Sequence, residues 1–236
     1  FCPSCGARRM AESAALLVDG VLPHQPMRQW VLSVPFPLRF LFATRPRIMG
    51  EVLGIVYRAI AMYLIQKADF TKHTAHTGAV TLIQRFGSAL NLNIHFHMLF
   101  LDGVYRDGDA HAPPRFHWVQ APTSDELNQL THRIAKRIGR FLVRRGLLER
   151  DAENDYLAND AVDDAPLHQL LGHSITYRIS VGPHQGRKAF TLQTVPARDV
   201  DEPLTNVSTV SGFSLHAGVA TKAHQRDKLE RLCRYI

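Results

Sequence analysis

The chain has 236 residues, 45% hydrophobic and 21% charged, a globular composition that can bury a sizeable core in one domain. Lys+Arg 28 against Asp+Glu 21 gives a formal charge of +7, which favours an acidic partner such as nucleic acid without proving one. Three cysteines do not make a disulfide framework, so a reducing interior is the simpler setting. Phe1 to Arg9 is a cysteine-bearing end, and Gln29 to Pro35 reads as a first strand ended by proline. Ile48 to Asp69 reads as a long apolar helix; its greasiest run, Val52 to Ile65, is broken by Arg58 and is shorter than the roughly 18 residues a bilayer requires. No secretory signal is visible. Ala79 to Phe86 and Asn91 to Leu101 form two strands around Gly87-Ser88-Ala89, most simply an antiparallel hairpin. Asp102-Gly103 and Asp107-Gly108-Asp109 are turns, and Thr123-Ser124-Asp125-Glu126 opens a helix that runs to about Arg145. Residues 149 to 164 carry seven acidic side chains, Glu149 to Asp164, and read as a solvated connector. Ser174 to Ser180 and Lys188 to Thr194 suggest another strand pair, before Phe213 to Val219 and a last helix from about Lys222. The fold class expected is α+β, with a central, mainly antiparallel sheet and flanking helices. Phe1 without a methionine and Ile236 inside a helical stretch read as cut ends of a longer protein.

The most informative segment is Asn91-Leu92-Asn93-Ile94-His95-Phe96-His97-Met98, a strict polar and apolar alternation with a strand's period. On a strand, residues i and i+2 share a face about 7 Å apart, so His95 and His97 present both imidazoles to one point while Leu92, Ile94, Phe96 and Met98 face the other way. Neutral imidazole is a common ligand for divalent metals, which makes a two-histidine seat the leading reading. A third ligand is needed. Gln84, on the preceding strand of the hairpin, is the best candidate, and His216, in Ser214-Leu215-His216, is the second. An amide oxygen beside two imidazoles suits Mg²⁺ or Mn²⁺ and leaves positions open for a phosphate.

At the other end, Leu229, Leu232, Cys233 and Ile236 form one apolar stripe at 100° per residue. Tyr235 lies about 110° off that stripe, beside Lys228, Arg231 and His224. A phenol among cations ionises more easily and sits where phosphate is attracted, which a phosphoryl-transfer nucleophile requires.

Taken together, Gln84 to His97 with its His-hydrophobic-His strand, the early Cys2-Pro3-Ser4-Cys5-Gly6 and the late Leu229 to Tyr235 resemble the rolling-circle insertion-sequence transposases of the HUH endonuclease superfamily. The resemblance implies a compact RRM- or palm-like antiparallel sheet carrying the histidines centrally, with the nucleophile helix beside it. It implies that His95, His97 and Gln84 hold one divalent cation against the scissile phosphate of single-stranded DNA, and that Tyr235 attacks to leave a 5′-phosphotyrosine. Part of the family has two tyrosines four apart; here Arg231 stands four before Tyr235, so one nucleophile or two stays open. The resemblance also implies single-stranded element ends as substrate, host replication proteins as further partners, no membrane, and a bacterial, nucleoid-associated cytoplasmic location.

Cys2 and Cys5 have the knuckle spacing of structural zinc, but a tetrahedral site needs four ligands and no second pair is present. The resemblance implies an N-terminal zinc-binding module, of which residues 1–28 would be a remnant and whose remaining ligands lie upstream; 29–236 would be the catalytic domain. On the helix after Thr123, Arg133, Arg137, Arg140 and Arg144 fall within about 60° of one another and could track a phosphate backbone. Tyr105, Phe116, His117 and Trp118, in a segment that reads as loop-rich, could stack on unpaired bases. A nucleotide hydrolase built on alternating histidines would need a further one at position 99, which is leucine. A non-catalytic nucleic-acid binding module or an inactive transposase remnant is the alternative function.

Overall fold

A computed structural model describes residues 3–86, 92–108, 112–150, 155–157 and 207–234 of the chain. Its centre is a five-stranded sheet. Strands β1 (Met27–Ser33), β3 (Ala79–Phe86), β4 (Leu92–Leu101), β9 (Val207–Val210) and β10 (Phe213–Thr221) lie in the order β3-β4-β1-β10-β9, and every neighbouring pair is antiparallel. The expected α+β class with a mainly antiparallel sheet is the architecture found. A smaller sheet joins β2 (Ala75–His76), β5 (Gly103–Arg106) and β6 (Arg115–Trp118) in the order β2-β5-β6, and β7 (Leu148–Arg150) pairs with β8 (Asp155–Leu157) in a short ribbon.

Alternation in β4 decides how the large sheet is covered. Leu92, Ile94, Phe96, Met98 and Phe100 point to one face, where they are buried with Trp30 and Leu32 of β1 and Leu215 and Ala217 of β10. Three helices close that face: α2 (Phe36–Thr44), α3 (Pro46–Lys67) and α4 (Ser124–Arg144). Helix α3 is longer than the apolar run inside it and is long and apolar enough by length and composition to cross a membrane. Its Met49, Val52, Val56 and Ile60 nevertheless pack in the core beneath the sheet. Helix α4 starts on a capping box, in which Thr123 Oγ1 accepts from the Glu126 amide at 3.2 Å and Glu126 Oε2 accepts from the Thr123 amide at 2.7 Å. These satisfy donors that a helix start otherwise leaves unpaired.

The opposite face carries Asn93, His95, His97, Leu99 and Leu101 from β4. Among the described residues it is covered at one end only. Helix α1 (Pro3–Leu16), the π-helical turn Leu17–Val21 after it and helix α5 (Arg226–Arg234) pack there, burying Ala14, Val18, Leu229 and Cys233 with Met27, Leu99 and Leu101. Cys233 is thus a core residue. Arg226 ties the assembly together by donating to the carbonyls of Val18, Leu22 and Pro23.

Several elements differ from the sequence reading. Residues 36–44, which read as no element, form α2, entered through Pro35 with Pro37 in its first turn, a position where a missing N–H costs nothing. The last helix starts at Arg226 rather than Lys222, because Lys222 and Gln225 form the turn before it. Tyr105, Phe116, His117 and Trp118 are not in loops but in β5 and β6, where Tyr105 and Phe116 pack edge to face at 5.3 Å. Asp102 marks a bend but is buried, its carboxylate held by Arg28 at 2.7 and 2.9 Å. Strand β9 pairs with β10 across Ser211-Gly212, both with positive φ (49° and 76°), the conformation of a tight type I′ hairpin. The expected strands at 174–180 and 188–194, and most of the acidic stretch, lie outside the described residues.

Candidate active site

Register puts the polar residues of the half-open face into rows across the sheet. Gln84, His95, Ser33 and Ser214 stand opposite one another on successive strands, and the next row runs Leu82, His97, Val31 and His216. Residues directly opposite in an antiparallel sheet point to the same side, so the two histidines and Gln84 share one face. The rings of His95 and His97 lie 6.3 Å apart between centroids, tilted by 50°, a spacing that one ion can bridge.

Each ring is held by a specific partner. His95 Nδ1 lies 2.9 Å from the backbone oxygen of Asn93; since a carbonyl only accepts, Nδ1 carries the proton and the Nε2 lone pair is left available. That is how proteins orient a metal-binding imidazole. His97 sits between two amides, with Gln84 Oε1 at 3.0 Å from Nε2 and Gln29 Nε2 at 3.4 Å from Nδ1. Both glutamines adjoin irregularities of strand pairing, between Gln84 and Phe86 on β3 and between Gln29 and Val31 on β1. Bulges of this kind re-aim side chains next to functional centres. Sequence reasoning does not reach Gln29 as a partner of His97, because a pairing between residues 68 apart leaves no mark in any local periodicity.

Burial favours the uncharged form of both rings. The pKa of His95 is lowered mainly by desolvation, opposed by its hydrogen bond to Asn93 and assisted by the nearby Arg39 guanidinium; that of His97 is lowered by desolvation and by His95. Neutral imidazole is the form that binds metal. His216, the alternative third ligand, also has its pKa lowered by burial, but it is separated from His97 by the intervening Val31 of β1. Two strand spacings, roughly 9.5 Å, divide their backbones.

Two imidazoles and amide oxygens are ligand types that divalent cations accept. Among the described residues no cluster of three or more His, Cys, Asp or Glu side chains is arranged to hold a metal, so the centre offers two imidazoles and amide oxygens. Asn93 adds a buried side-chain oxygen with no hydrogen-bond partner among the described residues. All of these ligands are neutral, which would leave the full charge of a bound cation to attract a phosphate anion. Arg39, on α2, brings a further positive group to this edge: its Nε donates to the carbonyl of Val34 at 3.3 Å, next to the Ser33 that pairs with His95.

Helix α5 lies on this same face. Leu229 and Cys233 are buried in one cluster with Leu99, two residues along β4 from His97, and Lys228 Nζ donates to the carbonyl of Ala220 on β10 at 2.8 Å. Tyr235, which follows Arg234 in the chain, lies outside the described residues.

Residues 78–236 match the model of the Y2 transposase family, described as "Putative transposase". The chain belongs to this transposase family. The match includes Gln84, His95, His97 and Tyr235 and begins after β1, so the central strand carrying Gln29 lies outside it. Neither a curated protein nor a solved structure matches the chain.

In this transposase the remaining expected site residues lie apart from the histidines. Arg133, Arg137, Arg140 and Arg144 are all exposed on α4, which covers the opposite face of the sheet. Cys5 is a free, exposed thiol on α1, and Cys2 lies outside the described residues.

Proposed function

We propose that this transposase is a metal-dependent enzyme of the HUH type, which nicks single-stranded DNA at the ends of its element and transfers the strand through a 5′-phosphotyrosine. The observation that carries this reading is the convergence of His95, His97 and Gln84 on one face of the sheet, with helix α5, which leads directly into Tyr235, packed on that face. A Mg²⁺ or Mn²⁺ ion bound there would polarise the scissile phosphate and offset its charge. His95 would bind through Nε2, with Nδ1–H fixed on the Asn93 carbonyl; His97 would bind through Nδ1, the nitrogen that faces the Gln29 amide donor, while its Nε2–H is held by Gln84 Oε1.

Tyr235 would attack phosphorus through its phenolic oxygen. The Tyr–O–P bond forms, the P–O3′ bond breaks, and the phenolic proton is transferred overall to the departing 3′ oxygen. The products are a free 3′-hydroxyl and a phosphotyrosine joined to the 5′ end. Attack on that linkage by another 3′-hydroxyl reverses the step and restores the phenol, so the strand is rejoined without ATP. Such a reaction belongs where the element's DNA is, in the bacterial nucleoid. Zinc at a completed N-terminal module would be a structural addition outside this chemistry.

The test is incubation of the chain with labelled single-stranded DNA carrying the element's ends and Mn²⁺ or Mg²⁺. A covalent protein–DNA band is expected for the parent and none for Tyr235→Phe, which retains the ring and should still bind metal and DNA. An adduct mapped by mass spectrometry to another residue would refute the assignment of the nucleophile.

A further inference from the structure

The arginine row of α4 does not stand alone. Arg137, Arg140 and Arg144 line a groove of about 630 Å³ with Arg58 and Ile55 of α3 and Val143, so four guanidinium groups from two helices meet in one depression. Gly54, one turn before Arg58, leaves room for this: a Cβ there would lie 3.2 Å from Arg58 Nη1. None of the four has a carboxylate partner among the described residues, although Arg145 beside them is paired with Glu51. Four like charges gathered without counterions are an unfavourable arrangement that a polyanion would relieve.

The groove is on the wrong side for the cleaved strand. It opens on the outer surface of α3 and α4, and the inner surfaces of those helices pack on the sheet face opposite to His95 and His97. A whole helix, about 10 Å across, stands between the groove and the sheet. Its chemistry also differs from a single-strand site. Unpaired bases are held by stacking on aromatic rings, and no aromatic side chain lines this groove among the described residues. From Arg137 to Arg144 the row spans about 10 Å, which covers about three phosphates of a duplex strand at the 3.4 Å axial rise.

We infer that the groove between α3 and α4 is a second DNA site, distinct from the histidine centre, which binds the phosphate backbone of base-paired DNA through Arg58, Arg137, Arg140 and Arg144. The transposase would then hold a duplex segment behind the sheet while a single strand is processed in front of it. The inference takes DNA as the ligand from the family membership and does not depend on the phosphotyrosine chemistry.

Two probes separate the sites: a short duplex of arbitrary sequence, and a short single strand that spans only the nick. The variant Arg58→Gln/Arg137→Gln/Arg140→Gln changes side chains on the groove's surface, and an unaltered thermal melt would verify its fold. Its duplex affinity should fall, with the log–log salt dependence flattened by about 0.9 for each phosphate that is no longer neutralised, while adduct formation with the short single strand proceeds at the parent's rate. Unchanged duplex affinity and salt slope would overturn the inference and make the row a solvated face. Equal loss on the short single strand would also overturn it, by making the arginines part of the cleaved strand's path. A parent that forms no adduct but binds duplex through these arginines would refute the phosphotyrosine reading and support the groove.

Discussion

The two faces of β4 are written by the same ten residues and have different physical tasks. On one, Ile94, Phe96, Met98 and Phe100 are fully covered by α2 and α3 with their neighbours, and Phe96 stacks on Phe42 at 6.3 Å between ring centroids. On the other, among the described residues, α1 and α5 close over Leu99 and Leu101, and His95 and His97 are only partly covered. Hydrophobic burial is non-directional and rewards volume. The histidine face instead depends on single hydrogen bonds at fixed distances, from Asn93, Gln84 and Gln29. The core and the histidine face can thus be probed separately by substituting adjacent residues.

The sharpest contrast is between Phe96 and His97. Phe96→Ala should cost about 3–5 kcal/mol, the usual loss for a buried aromatic ring, read as a lower denaturant midpoint at unchanged slope. His97→Ala, one residue along, should cost about 1 kcal/mol or less and remove metal-dependent cleavage. Comparable stability losses at the two positions would show that the histidine face is simply a second core.

Gln29 sharpens the same comparison because it touches the ring of His97 from the central strand. If its amide orients that ring, Gln29→Ala should weaken cation binding about 10–100-fold with little change in stability. Gln84→Ala removes one oxygen donor of several and should fall within the same range. An unchanged titration for Gln84→Ala would show that Gln84 is not a ligand of the ion.

The smallest effect expected is that of pH. Burial lowers the pKa of both histidines below the ordinary 6.5, so below that pH the unfolded chain binds more protons than the folded one. The contribution to stability is therefore complete above about pH 6.5 and declines as the pH falls through the window between 6.5 and the lower folded values. Cation affinity should be flat above the folded values and fall beneath them by about tenfold per pH unit for each histidine protonated. Denaturant midpoints and Mn²⁺ titrations measured between about pH 7 and pH 5 check both.

What can be read from sequence is local. The alternation of residues 91–101 defines β4 and both of its faces, and Thr123 with Glu126 marks the start of α4 as a capping box. Helix α2 escapes such a reading because Pro35 and Pro37 interrupt an apolar run that has no room to show a helical period. The short strands of the smaller sheet, such as Gly103–Arg106, are too brief for alternation to register. Strand order is out of reach for a different reason: β1 pairs with both β4 and β10, and no local pattern encodes partners so distant. The positions of Gln29 and Arg39 beside the histidines depend on that order. The hairpin brings Gln84 to the histidines because its strands are adjacent in sequence, whereas the arginine row falls on one helical face in sequence and structure alike, but only the fold assigns it to a side of the sheet.

The most direct measurement of the histidine face is Mn²⁺ binding to the parent chain, His95→Ala and His97→Ala, followed by electron paramagnetic resonance or calorimetry. One tightly held ion per parent chain is expected, absent from each variant while the denaturation midpoints stay close to the parent's. Undiminished Mn²⁺ binding in either variant would contradict the assignment of this face as the metal centre.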